Sequence, residues 1–293
     1  MEVKDQQIFQ IDSNFIKEAL SPGNNIKIVE EEGTVNTQPP ICVIYFSSNE
    51  IYYPNTESSF KNAILERNKY EWQNSKYPGA SKHIFIRDIK KQWYIEGIND
   101  QLNSPEKLKQ FLVVQTEGYK IYTIGSSAGG YAAVLFGSLL KADRVYAFNS
   151  QLDLNITLKK SNSSIDPLLY RYKDSDRSKY FKVNSFLINE VDYFYFQSCL
   201  STMDIEQYDS VNDKEKLTKI SFKTSNHGFP FLRHNIQYVF SLLPEELREL
   251  SRKTLHPFNF ARKIDGIYKT IYIVSKAILK RIKKKLYDEK RHA

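Results

Sequence analysis

Short runs of apolar, β-branched and aromatic residues recur along the chain at strand length: QQIFQID, IKIVEEE, ICVIYFS, HIFIRD, KIYTIGS, RVYAFNS, DYFYFQS and KISFKTS. Between the later runs the period changes to that of a helix, in SFKNAILERNKYEW, SPEKLKQFLVVQTEG, GGYAAVLFGSLLK and PFLRHNIQYVFSLL. Ser104 is placed to cap the second of these and Gly118 to stop it. Strands alternating with helices predict an α/β protein: an eight-stranded, mostly parallel sheet with helices on both faces. The first two runs have no helical pattern between them and read as an antiparallel edge. The segment from Leu152 to Asn189 fits neither period and reads as an insertion after the sixth strand, a cap or lid.

No internal repeat, low-complexity segment or linker precedes Pro244. This predicts one domain over 1–243, with 152–189 as its insertion, and a helical basic tail over 244–293. Charge sharpens that division. Of 42 Lys and Arg, 11 fall between Ala261 and Ala293, with only 3 of the 34 Asp and Glu, so the rest of the chain is balanced at 31 of each sign. A neutral body argues against nucleic acid as a partner. In the tail, Ile264, Ile267, Ile271, Val274, Ile278, Ile282 and Leu286 recur every three or four residues opposite Lys and Arg. Such an amphipathic basic helix suits an anionic membrane surface or an acidic partner.

Composition adds less: 41% hydrophobic and 26% charged residues is ordinary for a globular chain. Cys42 and Cys199 sit in apolar runs as free thiols would, and MEVKDQQIFQ has no basic segment leading into an apolar one. A cytoplasmic protein is expected, peripheral at the inner membrane face through its tail. Tyr122 to Leu140 is uncharged and long enough to span a bilayer, but Gly125, Ser126, Ser127, Gly129 and Gly130 crowd its first half. It reads instead as a buried strand, a sharp turn and a buried helix.

That turn, Gly125-Ser126-Ser127-Ala128-Gly129, matches G-x-S-x-G directly between a strand and a helix. Ser127 is the expected nucleophile and the Ala128 amide an oxyanion donor, because the helix start aims free N–H groups at the same point. A phosphate-binding turn is the plainer alternative. A serine needs a base, and five histidines are available. His83 opens an apolar strand, His234 lies in a helical pattern, and His256 and His292 lie in or near the tail. His227, in KTSNHGFP after the last strand, is the candidate base. Its carboxylate partner is sought after DYFYFQS, where Asp204 comes first, ahead of Glu206 and Asp209; Asp153 is held in reserve.

The order Ser127, Asp204, His227, each after a different strand, resembles the α/β-hydrolase superfamily, with its three-layer fold, over about Gln6 to Leu243. The resemblance implies a second oxyanion amide after the third strand, in FSSNEIYY, from Ser47 or Ser48, although no glycine-rich loop stands there. It also puts Asp88, Trp93 and Tyr94 near the same sheet edge, as candidate walls of a sugar pocket or as buried support. FIRD, WY, GSSAGGYAA and SNHGF together are similar to α/β-hydrolase-like proteins encoded with bacterial capsule and surface-polysaccharide synthesis enzymes. This implies a serine esterase or acyltransferase acting on acyl groups of a glycan or its precursor, with the tail on the membrane or on a synthesis partner. No cofactor or metal enters the reading. The rival is a non-catalytic scaffold of the same fold that binds a glycan or a synthesis partner.

Overall fold

The computed structural model describes residues 13–31, 39–276 and 279. The run QQIFQID, His292 and most of the basic end of the tail lie outside them. Seven strands are present among the described residues, not eight: β1 (Ile26–Glu30), β2 (Ile41–Phe46), β3 (Lys82–Ile86), β4 (Lys120–Ser126), β5 (Arg144–Phe148), β6 (Asp192–Ser198) and β7 (Leu217–Phe222). The difference is that first run; the other seven each become a strand. The α-helices with both ends among the described residues are α1 (Asn14–Glu18), α2 (Glu57–Phe60), α3 (Pro105–Gln115), α4 (Ala128–Leu139), α5 (Leu154–Lys159), α6 (Pro167–Tyr172), α7 (Thr202–Asp209), α8 (Ile236–Ser241), α9 (Pro244–Ser251) and α10 (Pro257–Asp265), and residues 267–276 are helical as well.

The sheet runs β1-β3-β2-β4-β5-β6-β7, with β1 antiparallel to β3 and every other pair parallel. β2 and β3 are buried at every position, as strands covered on both faces must be, whereas β1 is half exposed and ends the sheet. Alternation within β2 shows the two layers. Cys42, Ile44 and Phe46 join a core with α3, α4 and the insertion, while Ile41, Val43 and Tyr45 join one with Trp72, α8, α9 and α10. The chain leaves β2 towards β3 and returns on the other side as β4. The crevice outside the carboxyl ends of β2 and β4 is therefore the switch point where open α/β sheets bind ligands.

Local differences from the sequence reading have local causes. Helix α2 continues as a π-helical turn, Lys61–Glu66, and stops before Asn68 takes a left-handed φ of 42°, short of the expected length. In the fourth helical pattern only Ile236–Ser241 is α-helical, because Phe229 and Phe231 turn inwards to the aromatic core. Leu247 of α9 and Phe260 of α10 are buried in that same core, so residues 244–265 pack on the sheet. The insertion folds as α5, α6 and two short 3-10 turns, tied down by the Tyr131 hydroxyl donating to Tyr180 O.

Helix α4 is buried along nearly its whole length, which explains its lack of charge. Its start is pressed against two strands. A Cβ on Gly125 would lie 2.0 Å from Gly129 O, and one on Gly129 would lie 2.3 Å from Phe46 O. Both obstacles are backbone and cannot move aside cheaply. Gly129→Ala is therefore expected to destabilise the fold by about 1–3 kcal/mol. Gly228→Ala, whose added carbon meets nothing nearer than 3.7 Å, should stay within about 0.5 kcal/mol of the parent. Denaturant midpoints test the contrast; equal midpoints would remove the close-packing argument.

Candidate active site

Ser127 sits between β4 and α4 with φ 53° and ψ −121°, a conformation that L residues avoid, and its N–H donates to Phe148 O at 2.9 Å. As the first residue of α4, Ala128 offers an N–H with no acceptor inside the helix. The Ser127 hydroxyl lies 3.0 Å from His227 Nε2, and His227 Nδ1 lies 2.7 Å from Asp204 Oδ1. Asp204 is fully buried in the first turn of α7, whose N-cap is Ser201. Its Oδ2 has no hydrogen-bond partner among the described residues. These three side chains form one hydrogen-bonded line at the carboxyl ends of β4, β6 and β7. In such a line the imidazole can take the serine proton while the carboxylate fixes its tautomer and balances its charge.

The loop carrying His227 is held by groups at the ends of β5 and β6. Asn149 Nδ2 donates to His227 O at 2.7 Å, to Asn226 O at 3.1 Å and to Ser198 Oγ at 2.9 Å. The Ser198 hydroxyl donates to Asn226 O at 2.7 Å. Gln151 reaches the serine itself: its Nε2 is 3.0 Å from Ser127 Oγ, and its Oε1 accepts from Trp93 Nε1 at 3.3 Å. With Trp93 holding the amide, Gln151 Nε2 donates to the serine oxygen, while Gln151 Oε1 at 3.3 Å and His227 Nε2 at 3.0 Å are both within reach of the serine proton.

The other nominated residues fall elsewhere. Asp153 caps α5 and pairs with Lys182 at 3.3 Å, Glu206 pairs with Lys160, and Asp209 pairs with Lys214 at 2.8 Å. His83 is buried against the Tyr45 hydroxyl, His234 pairs with Asp265 at 2.5 Å, and His256 precedes α10. The Ser47 N–H cannot serve an oxyanion because it continues the sheet, donating to Ile86 O at 2.9 Å. The next amide, Ser48 N–H, already donates to the Glu71 carboxylate at 2.6 Å. The second Glu71 oxygen lies 3.5 Å from Ser126 Oγ and 3.7 Å from Arg233. Asp88, Trp93 and Tyr94 do not line the cavity. They are buried behind its wall, where Asp88 gathers backbone N–H groups, Trp93 braces Gln151 and the Tyr94 hydroxyl donates to Ser47 O at 2.8 Å.

A cavity of about 530 Å³ opens over Ser127 and His227, within the roughly 300–1,000 Å³ common for small-molecule sites. Ser48, Glu71, Lys91 and Arg233 also line it. Of these only Ser48 is nominated by the sequence. Gln151 carries the one signal that could have found it, its place just beyond the end of β5; Lys91 lies on a connection without periodicity, and Glu71 and Arg233 fall in the parts of two helical runs that do not become α-helix. Among the described residues no cluster of three or more His, Cys, Asp or Glu side chains is placed to hold a metal ion.

No family model and no curated protein matches the sequence. Solved structures do match. The capsule O-acetyltransferase of Neisseria meningitidis serogroup A superposes with a TM-score of 0.51 at 11% identity, over 78% of this chain and 92% of that one. The fold is α/β-hydrolase-like. Est2, an esterase from the planctomycete Thermogutta terrifontis, gives a TM-score of 0.46 at 14% identity over 83% of this chain and 88% of that one. Acetyl xylan esterase 1 from Thermoanaerobacterium gives 0.45 at 12% identity, over 77% and 78%.

On this α/β-hydrolase-like sheet the His227 loop depends on Asn149 as a donor. Asn149→Asp replaces that donor with an acceptor facing two carbonyls, and should destabilise the protein by about 3 kcal/mol. Amide exchange at residues 224–229 should quicken with it. An unchanged midpoint and unchanged exchange would show that the loop is held by other means.

Proposed function

We propose that the chain is a serine-dependent esterase or acyltransferase working through an acyl-enzyme. What carries the reading is the line from Ser127 Oγ through His227 to the buried Asp204, at 3.0 and 2.7 Å, on a turn that strains the serine. Ser127 Oγ attacks the acyl carbonyl as its proton passes to His227 Nε2, and Asp204 stabilises the imidazolium. The carbonyl oxygen becomes an oxyanion facing the Ala128 N–H. His227 returns the proton to the departing alcohol or thiol oxygen or sulfur, leaving the acyl group on Ser127. Water or a sugar hydroxyl then attacks, giving its proton to His227, and as the ester to Ser127 breaks His227 passes that proton to Ser127 Oγ, restoring the free hydroxyl and the neutral imidazole. A substrate among the acyl groups of a bacterial polysaccharide or its precursor is supported by the shared fold with a capsule O-acetyltransferase.

Labelling with a fluorophosphonate should place one adduct on Ser127, absent in Ser127→Ala and His227→Ala. Each of these changes, and Asp204→Asn, should lower kcat for 4-nitrophenyl acetate roughly 10⁴-fold. No adduct on the folded protein would favour the second reading, a non-catalytic scaffold. The observation behind that reading is Glu71 occupying the Ser48 amide. If the chain is an enzyme, the carboxylate has to leave that amide before it can serve the oxyanion. Breaking a hydrogen bond of this charged kind costs about 1.5–3 kcal/mol. Glu71→Ala should therefore raise kcat/KM for a small neutral ester by roughly 10- to 100-fold; an unchanged or lower value would refute the brake.

The tail reading belongs to the same proposal. In the helical segment 267–276, Tyr268 is 89% exposed, Tyr272 64% and Ile271 50%, and the sequence that follows is rich in Lys and Arg. No helix among the described residues is long and apolar enough to cross a membrane. An anionic lipid surface suits that combination. Replacing Ile271 and Tyr272 by Ser should abolish sedimentation with phosphatidylglycerol vesicles, and unchanged sedimentation would overturn the membrane role.

A further inference from the structure

The connection from β3 to α3 holds three non-glycine residues in the left-handed region: Lys91 (φ 56°), Trp93 (φ 51°) and Tyr94 (φ 60°). Strain of this kind persists only where the surroundings impose it. Here buried Asp88 imposes it, accepting the N–H groups of Lys90 at 3.0 Å, Gln92 at 2.8 Å and Tyr94 at 2.9 Å. The loop is thus wound around a carboxylate, and one result is that Lys91 becomes part of the wall of the Ser127 cavity.

Lys91 is only 3% exposed. Its ammonium donates to Tyr52 O and to Asn55 Oδ1 and lies 3.7 Å from the centroid of the Tyr52 ring. All three partners are neutral. Among the described residues no carboxylate forms an ion pair with it; Glu50 and Asp88 favour its charge from farther away, and Lys69 opposes it. Burial outweighs them and pushes Lys91 down to about 7. A neutral donor could hold Tyr52 O and Asn55 without the cost of desolvating an ammonium. Of the other charges on the cavity, the exposed Glu50 carboxylate favours the Lys91 charge from a distance without an ion pair, and the rest are committed. Arg233 faces Glu71, donating to its carbonyl at 3.2 Å, and the Asp166 carboxylate accepts from Ser161 and from Gln92 at 3.3 Å, with burial raising its pKa.

We propose that Lys91, with Asn55, forms a subsite for an anionic group, a carboxylate or a phosphate, carried by the substrate whose acyl ester lies at Ser127. The inference deepens the esterase or acyltransferase reading and rests on it for the identity of that ester. It assigns the substrate class as an acidic rather than a neutral sugar. An arriving anion supplies the counter-charge that the wall lacks, so anion and proton bind together. The sign follows: binding is strongest while Lys91 is charged in the free protein and weakens as pH rises above about 7, towards the higher pKa of the occupied site.

The test uses full-length Ser127→Ala protein, so that nothing turns over, titrated by NMR with glucuronate, glucose 1-phosphate and glucose. Glucuronate or glucose 1-phosphate should bind at least tenfold more tightly than glucose, and the tighter of the two identifies the anion. Lys91→Met should erase that preference. So should Asn55→Asp, which keeps the lysine but gives it an internal carboxylate, and which guards against a Lys91 variant that merely misfolds. Anion affinity should fall roughly 20-fold between pH 6.5 and 8.5 if the free ammonium titrates near 7. Equal affinity for all three sugars, a preference that survives both substitutions, or a flat pH dependence would overturn the subsite. Fluorophosphonate labelling of the unmodified protein stands apart from all of these, so the subsite can fail while the serine reading survives, and the reverse.

Discussion

The close approach of helix α4 to the ends of β2 and β4 is the constraint on which the site depends. Two backbone contacts, Gly125 against Gly129 and Gly129 against Phe46, leave no room for side chains. They bring the start of a buried helix against the point where the sheet order reverses. Ser127 is the residue caught between, and its φ of 53° is the conformational consequence. The helix cannot retreat, because its far side is buried under the insertion and α3. The strain at the serine is therefore held by the packing of the whole layer rather than by the turn.

From that fixed point the remaining groups are positioned by strand ends. β6 leads into α7 and sets Asp204 in its first turn; β7 leads into the loop with His227; β5 supplies Asn149 and Gln151. The parallel register means that all four carboxyl ends open on one edge, so residues 23 to 100 positions apart in sequence meet across about 3 Å. Asn149 is the less obvious member. With one side chain it joins β5, β6 and the His227 loop, and at φ 43° it takes a backbone conformation that asparagine tolerates better than most residues.

How much of this is legible in the sequence follows from which interactions are local. Strand and helix periods are local, so seven of the eight expected strands, the cap at Ser104 and the helix after Ser127 can be read directly, while the eighth lies outside the described residues. The meeting of Ser127, His227 and Asp204 is legible one step further, because topology alone carries strand ends to a common edge. The oxyanion side is not. Whether an amide after β2 is free depends on hydrogen-bond parity along the strand, which gives Ser47 N–H to Ile86, and on a carboxylate 23 residues away, which takes Ser48 N–H. Asp88, Trp93 and Tyr94 are legible as neighbours of the site but not in their part, since only the wound loop shows that they support its wall from behind.

Among the described residues, five of the eight non-glycine residues with a left-handed φ lie around the crevice, with Asn25, Asn68 and Lys141 elsewhere, and that bears on what the crevice is for. Ser127, Lys91, Trp93, Tyr94 and Asn149 all have left-handed φ values, the Asp204 Oδ2 is buried without a partner among the described residues, and the Lys91 ammonium is buried among neutral acceptors. Each is a cost that the same fold could avoid with a glycine, a hydroxyl or an apolar side chain. Scattered over a protein such costs would signify little. Concentrated around a cavity at the switch point of the sheet, they mark the part of the molecule whose stability has been given up to hold charged and strained groups ready. The His227 imidazole and the Lys91 ammonium differ in what they lack. The imidazole is already bonded to Ser127 and Asp204, whereas the ammonium has only neutral acceptors, so a bound anion would supply a counter-charge to the second and not to the first.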